Sequence, residues 1–364
     1  MIGAAAEIAL LKELVETPSF SGDETRVAQR LAEWMEVNGF QTSIDAAGNV
    51  IGEIGQGSGP TIILLGHIDT VASFLPVRIE SQYLHGRGSV DAKGSMACFA
   101  CAAARTADVP ARIIVIGATD EEQHSRGAIF LRDKYQPEAT IIGEPSGVDS
   151  VVIGYKGQIK GSFAASSQAG HSAGPETANA LETAVAFWGA LKAHCENNSP
   201  DDGVFSQMSP HLASISGGPE HARLLFDIRL PPKPEMEELI QMTTAWQHEG
   251  TIRFFDFAPA SLHSKNAAPA KAMRLSIREA GLVPKIKVKT GTCDMNTLQS
   301  FWNAPMIAYG PGDSKLDHTM HECISLEEFT QSIDVLERAL RHLVDDLALN
   351  KPETRPLEFA KFGT

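Results

Sequence analysis

The chain of 364 residues has no run approaching the ~18–20 consecutive apolar residues that a membrane span needs. Its first residues, MIGAAAEIALLKELVE, lack the basic start and small-residue cleavage site of a secretory leader, so a cytoplasmic protein is expected. It also lacks a cysteine framework: Cys98, Cys101, Cys195, Cys293 and Cys323 are odd in number and scattered, which suits a reducing compartment. Cys98 and Cys101 form a lone CxxC with no second pair, inside an alanine-rich helical stretch, so a metal or redox role is not expected of them. Basic residues are outnumbered, 31 against 45 acidic, and the formal net charge of −14 excludes nonspecific binding to nucleic acid or to an anionic membrane. No internal repeat is present.

What remains is the composition of an ordinary globular protein, 43% hydrophobic and 21% charged, long enough for two domains. Ser21 to Glu24 has the spacing of a capping box ahead of an amphipathic pattern at Val27, Leu31 and Trp34, which predicts a helix ending at Gly39. Three apolar, β-branched runs, TIILLGH, ARIIVIGATDEE and ATIIGEP, alternate with helical stretches such as 92–105. That pattern predicts an α/β fold with a central, mostly parallel sheet. From about Gly157 to Phe257 the order becomes βαββαβ, a ferredoxin-like unit inserted into the first domain. The expected division is therefore one domain over 1–156 and 259–350, an inserted unit over 157–258, and a loosely held tail over 351–364.

Polar residues cluster where each apolar run ends, the edge at which open α/β sheets bind ligands. His67 and Asp69 lie two apart, so in an extended chain they share a face and the carboxylate can orient the imidazole. Asp91 stands among glycines in GRGSVDAKG; taken alone it reads as a helix N-cap. Glu121-Glu122, taken alone, reads as a solvated turn. Glu144 closes the third run, and Asp317-His318-Thr-Met-His321-Glu322 follows near the C-terminus. Two histidines with three or four carboxylates can hold a pair of divalent cations through nitrogen and oxygen, a donor set for zinc, cobalt or manganese.

GHIDT, GRGSVDAKG, GATDEE, GEPSG and LDHTMHE, in this order around a βαββαβ insertion, resemble the M20 metallopeptidase family of deacetylases, desuccinylases and aminoacylases. The resemblance covers essentially the whole chain and implies a zinc-peptidase-like catalytic domain over 1–156 and 259–350 that hydrolyses amides of N-acylated amino acids, with the 157–258 insertion as its lid and dimerisation domain. It implies two zinc ions, with cobalt possible: His67 and Glu144 on one, Glu122 and His318 on the other, and Asp91 bridging. It further implies that Asp69 holds His67 and that Glu121 is the general base. His318 is preferred to His321 because the family pattern of histidine, three residues, then acid fits His318 to Glu322. His171, in the insertion, would stabilise the oxyanion from across a homodimer, and Arg229 would grip a substrate carboxylate.

EPSG, GYKGQIKG, TGTCDMN and YGPGDSKLDHT look most like the branch that releases lysine or ornithine from a small acidic amino-group carrier protein. Cys293 stands where that branch has serine, and Asp294 and Asn296 beside it are expected at the substrate. Binding an acidic carrier would require a basic patch, for which Lys156, Lys160, Lys285, Lys287 and Lys289 are candidates; such an edge strand also reads as a solvated face. The competing expectations are a free-standing deacetylase of N-acetylornithine or N-acetyllysine, a dipeptidase, and a noncatalytic binding protein.

Overall fold

A computed structural model of the chain describes residues 3–57, 59–168, 179–197, 203–234 and 236–349; His171 and the 351–364 segment lie outside the described residues. The three apolar runs form the strands Thr61–His67, Arg112–Ala118 and Ala139–Gly143, side by side and parallel, with the first in the middle. Alternate side chains enter two different cores. Ile62, Leu64, Ile113 and Val115 face one, and Ile63, Leu65, Ile114 and Ile116 face the other. With both faces covered, each strand is apolar almost throughout, as a buried parallel sheet requires.

Helices Ala4–Glu16, Lys93–Arg105, Ala268–Glu279 and Leu326–Leu349 pack over the first face. The second is covered by the short helices Arg126–Leu131 and Asp294–Leu298 and by Trp302, whose indole N–H donates to the Leu131 and Arg132 carbonyls at 3.3 and 3.1 Å. Among the described residues the central sheet has nine strands and is mixed: the hairpin Gln41–Ile44 and Val50–Ile54 adds an antiparallel edge. At the other side Met306–Tyr309, Ser150–Tyr155, Ser261–Leu262 and Lys285–Lys289 extend it. No helix among the described residues is long and apolar enough to cross a membrane.

The chain passes from this sheet into a second, four-stranded one between Tyr155 and Gly157 and returns at Ser261. Its strands are Gly157–Ser166, Ser209–Gly217, His221–Leu230 and Gly250–Ala258, all antiparallel neighbours, with the first beside the last and beside the third. Helices Ala180–Asn197 and Met236–Ala245 complete the βαββαβ order. Here only one face is covered, and the pattern changes accordingly: Ala222, Leu224, Phe226, Ile228 and Leu230 are buried while the residues between them are not. Phe163 stacks on Phe187 at 4.3 Å, with Trp246 set edge-on to Phe187 at 5.7 Å, in the core between that face and the helices.

The capping-box expectation fails. The helix runs Thr25–Val37 without a side-chain cap, and the Ser21 hydroxyl points instead to Asp69. The CxxC is inert packing: Cys98 and Cys101 are fully buried, and burial pushes both thiols up.

Candidate metal centre

The three parallel strands end at one edge, and the chain places a polar group beyond each end. His67 is the last residue of its strand. Glu121 and Glu122 follow the next strand after Asp120, whose left-handed φ of 63° turns the chain. Glu144 follows Gly143. Asp91 reaches the same edge through a tight glycine turn: Gly88 has φ +83°, and a Cβ on Gly94 would stand 2.4 Å from the Ser89 carbonyl oxygen. Asp91 is not the N-cap of the following helix, because that position is Ala92 and no side chain caps it.

The Asp91 carboxylate stands between two imidazoles. Its Oδ1 lies 3.1 Å from His67 Nε2 and its Oδ2 lies 3.0 Å from His318 Nε2. His318 Nε2 also lies 3.0 Å from Glu122 Oε2. Candidate ligand atoms of His67, Asp91 and Glu122 all fall within 4.8 Å of one another. Glu144 lies outside that tight group, in the wall of the same cavity of about 680 Å³, together with Glu121, Asp317, Arg229 and Lys289. His321 is exposed, and its backbone N–H is turned to Thr319 Oγ1, so His318 is the histidine that faces the carboxylates.

Asp69 holds more than the expected imidazole. His67 Nδ1 is 3.0 Å from the Asp69 carbonyl and 3.5 Å from Oδ1. The same carboxylate accepts the backbone N–H groups of Glu121 at 3.1 Å and Glu122 at 3.2 Å, and the Ser21 hydroxyl at 2.7 Å. One fully buried side chain therefore fixes His67 and the turn bearing the two glutamates. Ser21 is a supporting residue the sequence did not reveal, since no local spacing links it to a partner 48 positions away. Ser21→Ala is expected to weaken metal binding about tenfold, the lower end of what partners of metal ligands contribute. Competition against a chromophoric chelator reads this directly.

These residues fit a pair of divalent cations. Burial, and then the Asp91 charge, pushes Glu144 up to about 8. Burial likewise pushes Asp317 up to about 8 and holds Glu121 well above the carboxylate range, with His67 opposing and Glu144 adding. Hydrogen bonds to Asp91 and Glu122 raise His318 to about 10. Buried oxygens of Asp294 and Asp317 have no hydrogen-bond partner among the described residues. Crowded acids without enough protein cations are the environment a bound metal relieves.

The remaining expected residues divide. Arg229 lines the cavity, with Nη1 3.3 Å from Thr292 Oγ1 and Nε 3.8 Å from Asp227 Oδ1. Asp294 is 2% exposed and outside the wall of that cavity; its charge adds to the burial and the Glu144 charge that raise Glu121. Asn296 is committed to backbone: Oδ1 accepts the Cys293 N–H at 2.9 Å, and Nδ2 donates to the Lys156 and Pro259 carbonyls at 3.0 and 2.8 Å. It pins the crossing between the two sheets. Asn296→Ala is expected to cost about 1–3 kcal/mol of stability by denaturant unfolding, with KM nearly unchanged.

Each of the five candidate lysines is engaged, two of them with a carboxylate. Lys285 pairs with Asp149 at 2.5 Å, and Lys287 and Lys289 donate to the Ser146 and Pro145 carbonyls at 2.7 and 2.6 Å. Lys156 is buried against Ser209 Oγ at 2.8 Å, and Lys160 lies 3.3 Å from Asp256.

The model of peptidase family M20/M25/M40 matches residues 63–342. A LysW-lysine hydrolase from Deinococcus radiodurans is 38% identical over 358 residues, covering 94% of this chain and 98% of that protein. A protein of Pyrococcus abyssi, provisionally named LysW-lysine/LysW-ornithine hydrolase, is 39% identical over 337 residues, 93% of this chain and 94% of its own. A tripeptidase structure from Staphylococcus aureus has the same fold, with a TM-score of 0.79 at 19% identity over 96% of this chain and 100% of its own. With an M20 model spanning most of its length and the fold of an M20 peptidase around a carboxylate set between two imidazoles, this chain belongs to peptidase family M20/M25/M40 and is a metal-dependent hydrolase of amide bonds.

Proposed function

We propose that the protein releases lysine or ornithine from a small carrier protein by hydrolysing the amide on the substrate's α-amino group. The observation that carries the chemistry is the Asp91 carboxylate, one oxygen facing His67 and the other His318, with Glu121 in the same cavity wall. The substrate reading is supported by the LysW-linked lysine and ornithine in the names of relatives that align over nearly the full length of both chains.

In this reading His67 and Glu144 would hold one zinc ion, Glu122 and His318 would hold the other, and Asp91 would serve both; cobalt suits the same donors. When bound, such a pair would lower the pKa of water toward neutrality and polarise the scissile carbonyl. Glu121, in the wall of the cavity, would accept a proton from the attacking water on its carboxylate and return it to the departing α-amine. Asp69 keeps the Glu121 backbone fixed during this exchange. Arg229 presents a planar fork to the substrate α-carboxylate. His171, by family resemblance, donates to the oxyanion from a partner subunit of a cytoplasmic homodimer.

The test is release of free lysine and ornithine from carrier-linked and α-N-acetyl forms, with and without chelator, followed by amino-acid analysis. Chelator-sensitive release mainly from the carrier is expected. Efficient cleavage of the acetyl forms alone would make the protein a free-standing deacetylase.

A further inference from the structure

Two charged side chains of the recognised motifs take no part in the chemistry above. Arg87 belongs to GRGSVD and Glu322 to LDHTMHE, 235 residues apart, and the fold buries them together at 6% and 1% exposure. Arg87 Nη1 donates to Glu322 Oε2 at 2.5 Å. The other oxygen of Glu322 accepts the backbone N–H groups of Val90 and Asp91, at 2.9 and 3.1 Å. Arg87 Nη2 donates to the carbonyl of Thr319, the residue after His318, at 3.0 Å, and its Nε to Ser73 O at 3.4 Å. One ion pair thus grips the peptide of Asp91 with one end and the loop of His318 with the other.

We propose that Arg87 and Glu322 are positioning residues that fix Asp91 against His318 and thereby set the affinity of the metal site containing His318 and Glu122. This rests on the ligand assignment proposed above. Asp91 can serve two cations only if its carboxylate keeps both imidazoles within reach, now 3.1 and 3.0 Å away. His318 sits in an irregular loop at a left-handed φ of 60°, which its own backbone does not favour. The antiparallel pair of Tyr83–His85 with Cys323–Ser325, and the Gly86 N–H donating to the Glu322 carbonyl at 3.3 Å, bring the two segments side by side. Beyond that pair the guanidinium fork ties the Asp91 peptide to the His318 loop by donating to a carboxylate and to carbonyls at once. Lysine cannot reproduce that geometry.

Calorimetric titration of the full-length, metal-stripped protein with zinc, repeated with cobalt and its visible absorption, tests the clamp without reference to turnover. Wild type should bind two ions. Arg87→Lys and Glu322→Gln should each weaken the site containing His318 by about 10- to 100-fold and alter the cobalt spectrum of that site, with a smaller loss at the other site, which shares Asp91. Glu7→Gln is the control: Glu7 is fully buried and pairs with Arg105 at 2.6 Å, away from the cavity. It should lower the thermal midpoint without changing either affinity. The proposal is overturned if both clamp variants bind two ions as wild type does, or if affinity falls in all three variants in step with thermal stability. A wild type that binds fewer than two ions overturns the ligand assignment itself, and His318→Ala identifies that case by leaving binding unchanged.

Discussion

Glu121→Gln is expected to lower the turnover number by roughly 10²- to 10⁴-fold, the contribution of a positioned general base, while the protein keeps its metal and its fold. Glutamine has nearly the same volume and can make similar hydrogen bonds, but it cannot accept a proton from water and return it to an amine. The Glu121 backbone N–H remains on Asp69, so the neighbouring Glu122 stays where it is. Steady-state release of lysine, metal content and thermal midpoint should be measured on the same preparation. Turnover within a few-fold of wild type, at equal metal content, would assign the base to another group.

Metal removal is the second large effect. Chelation should reduce lysine release to background, and zinc or cobalt should restore it. The stripped protein should also unfold more easily, since Asp91, Glu121, Glu122, Glu144 and Asp317 share one cavity wall and burial already disfavours charge on several of them. A ligand that binds only the folded state adds about 2.7 kcal/mol at a free concentration 100 times its dissociation constant. The thermal midpoint should therefore rise with free metal, and the rise should be lost in Asp91→Ala, which removes the carboxylate between the two imidazoles. Full activity in a preparation shown to be metal-free would exclude the mechanism.

The main strands and the edge that gathers the candidate ligands were legible because each signal is local. A run apolar at every position needs cover on both faces, and the polar group at its end falls at the carboxyl edge; this places His67, Glu121, Glu122 and Glu144 together from the sequence. The insertion was legible for a related reason, since the alternation in His221–Leu230 reports a sheet with one covered face. Short strands such as Val50–Ile54 and Ser150–Tyr155 were not, because strands this brief take their identity from the neighbour they pair with.

Read alone, the amino-acid order specifies which residue types can bind metal, how they are spaced and the sheet edge to which they belong. What each polar group is committed to emerges only when the chain packs. Ser21 has the spacing of a cap yet serves Asp69, Asn296 joins two sheets through backbone bonds, and the lysines of the edge strand are held by Asp149 and the carbonyls of Pro145 and Ser146. Arg87 finds Glu322 across 235 residues. A hydrogen bond carries its energy only at about 3 Å and in line, and which of many equivalent donors reaches an acceptor at that distance is fixed by how the whole chain packs.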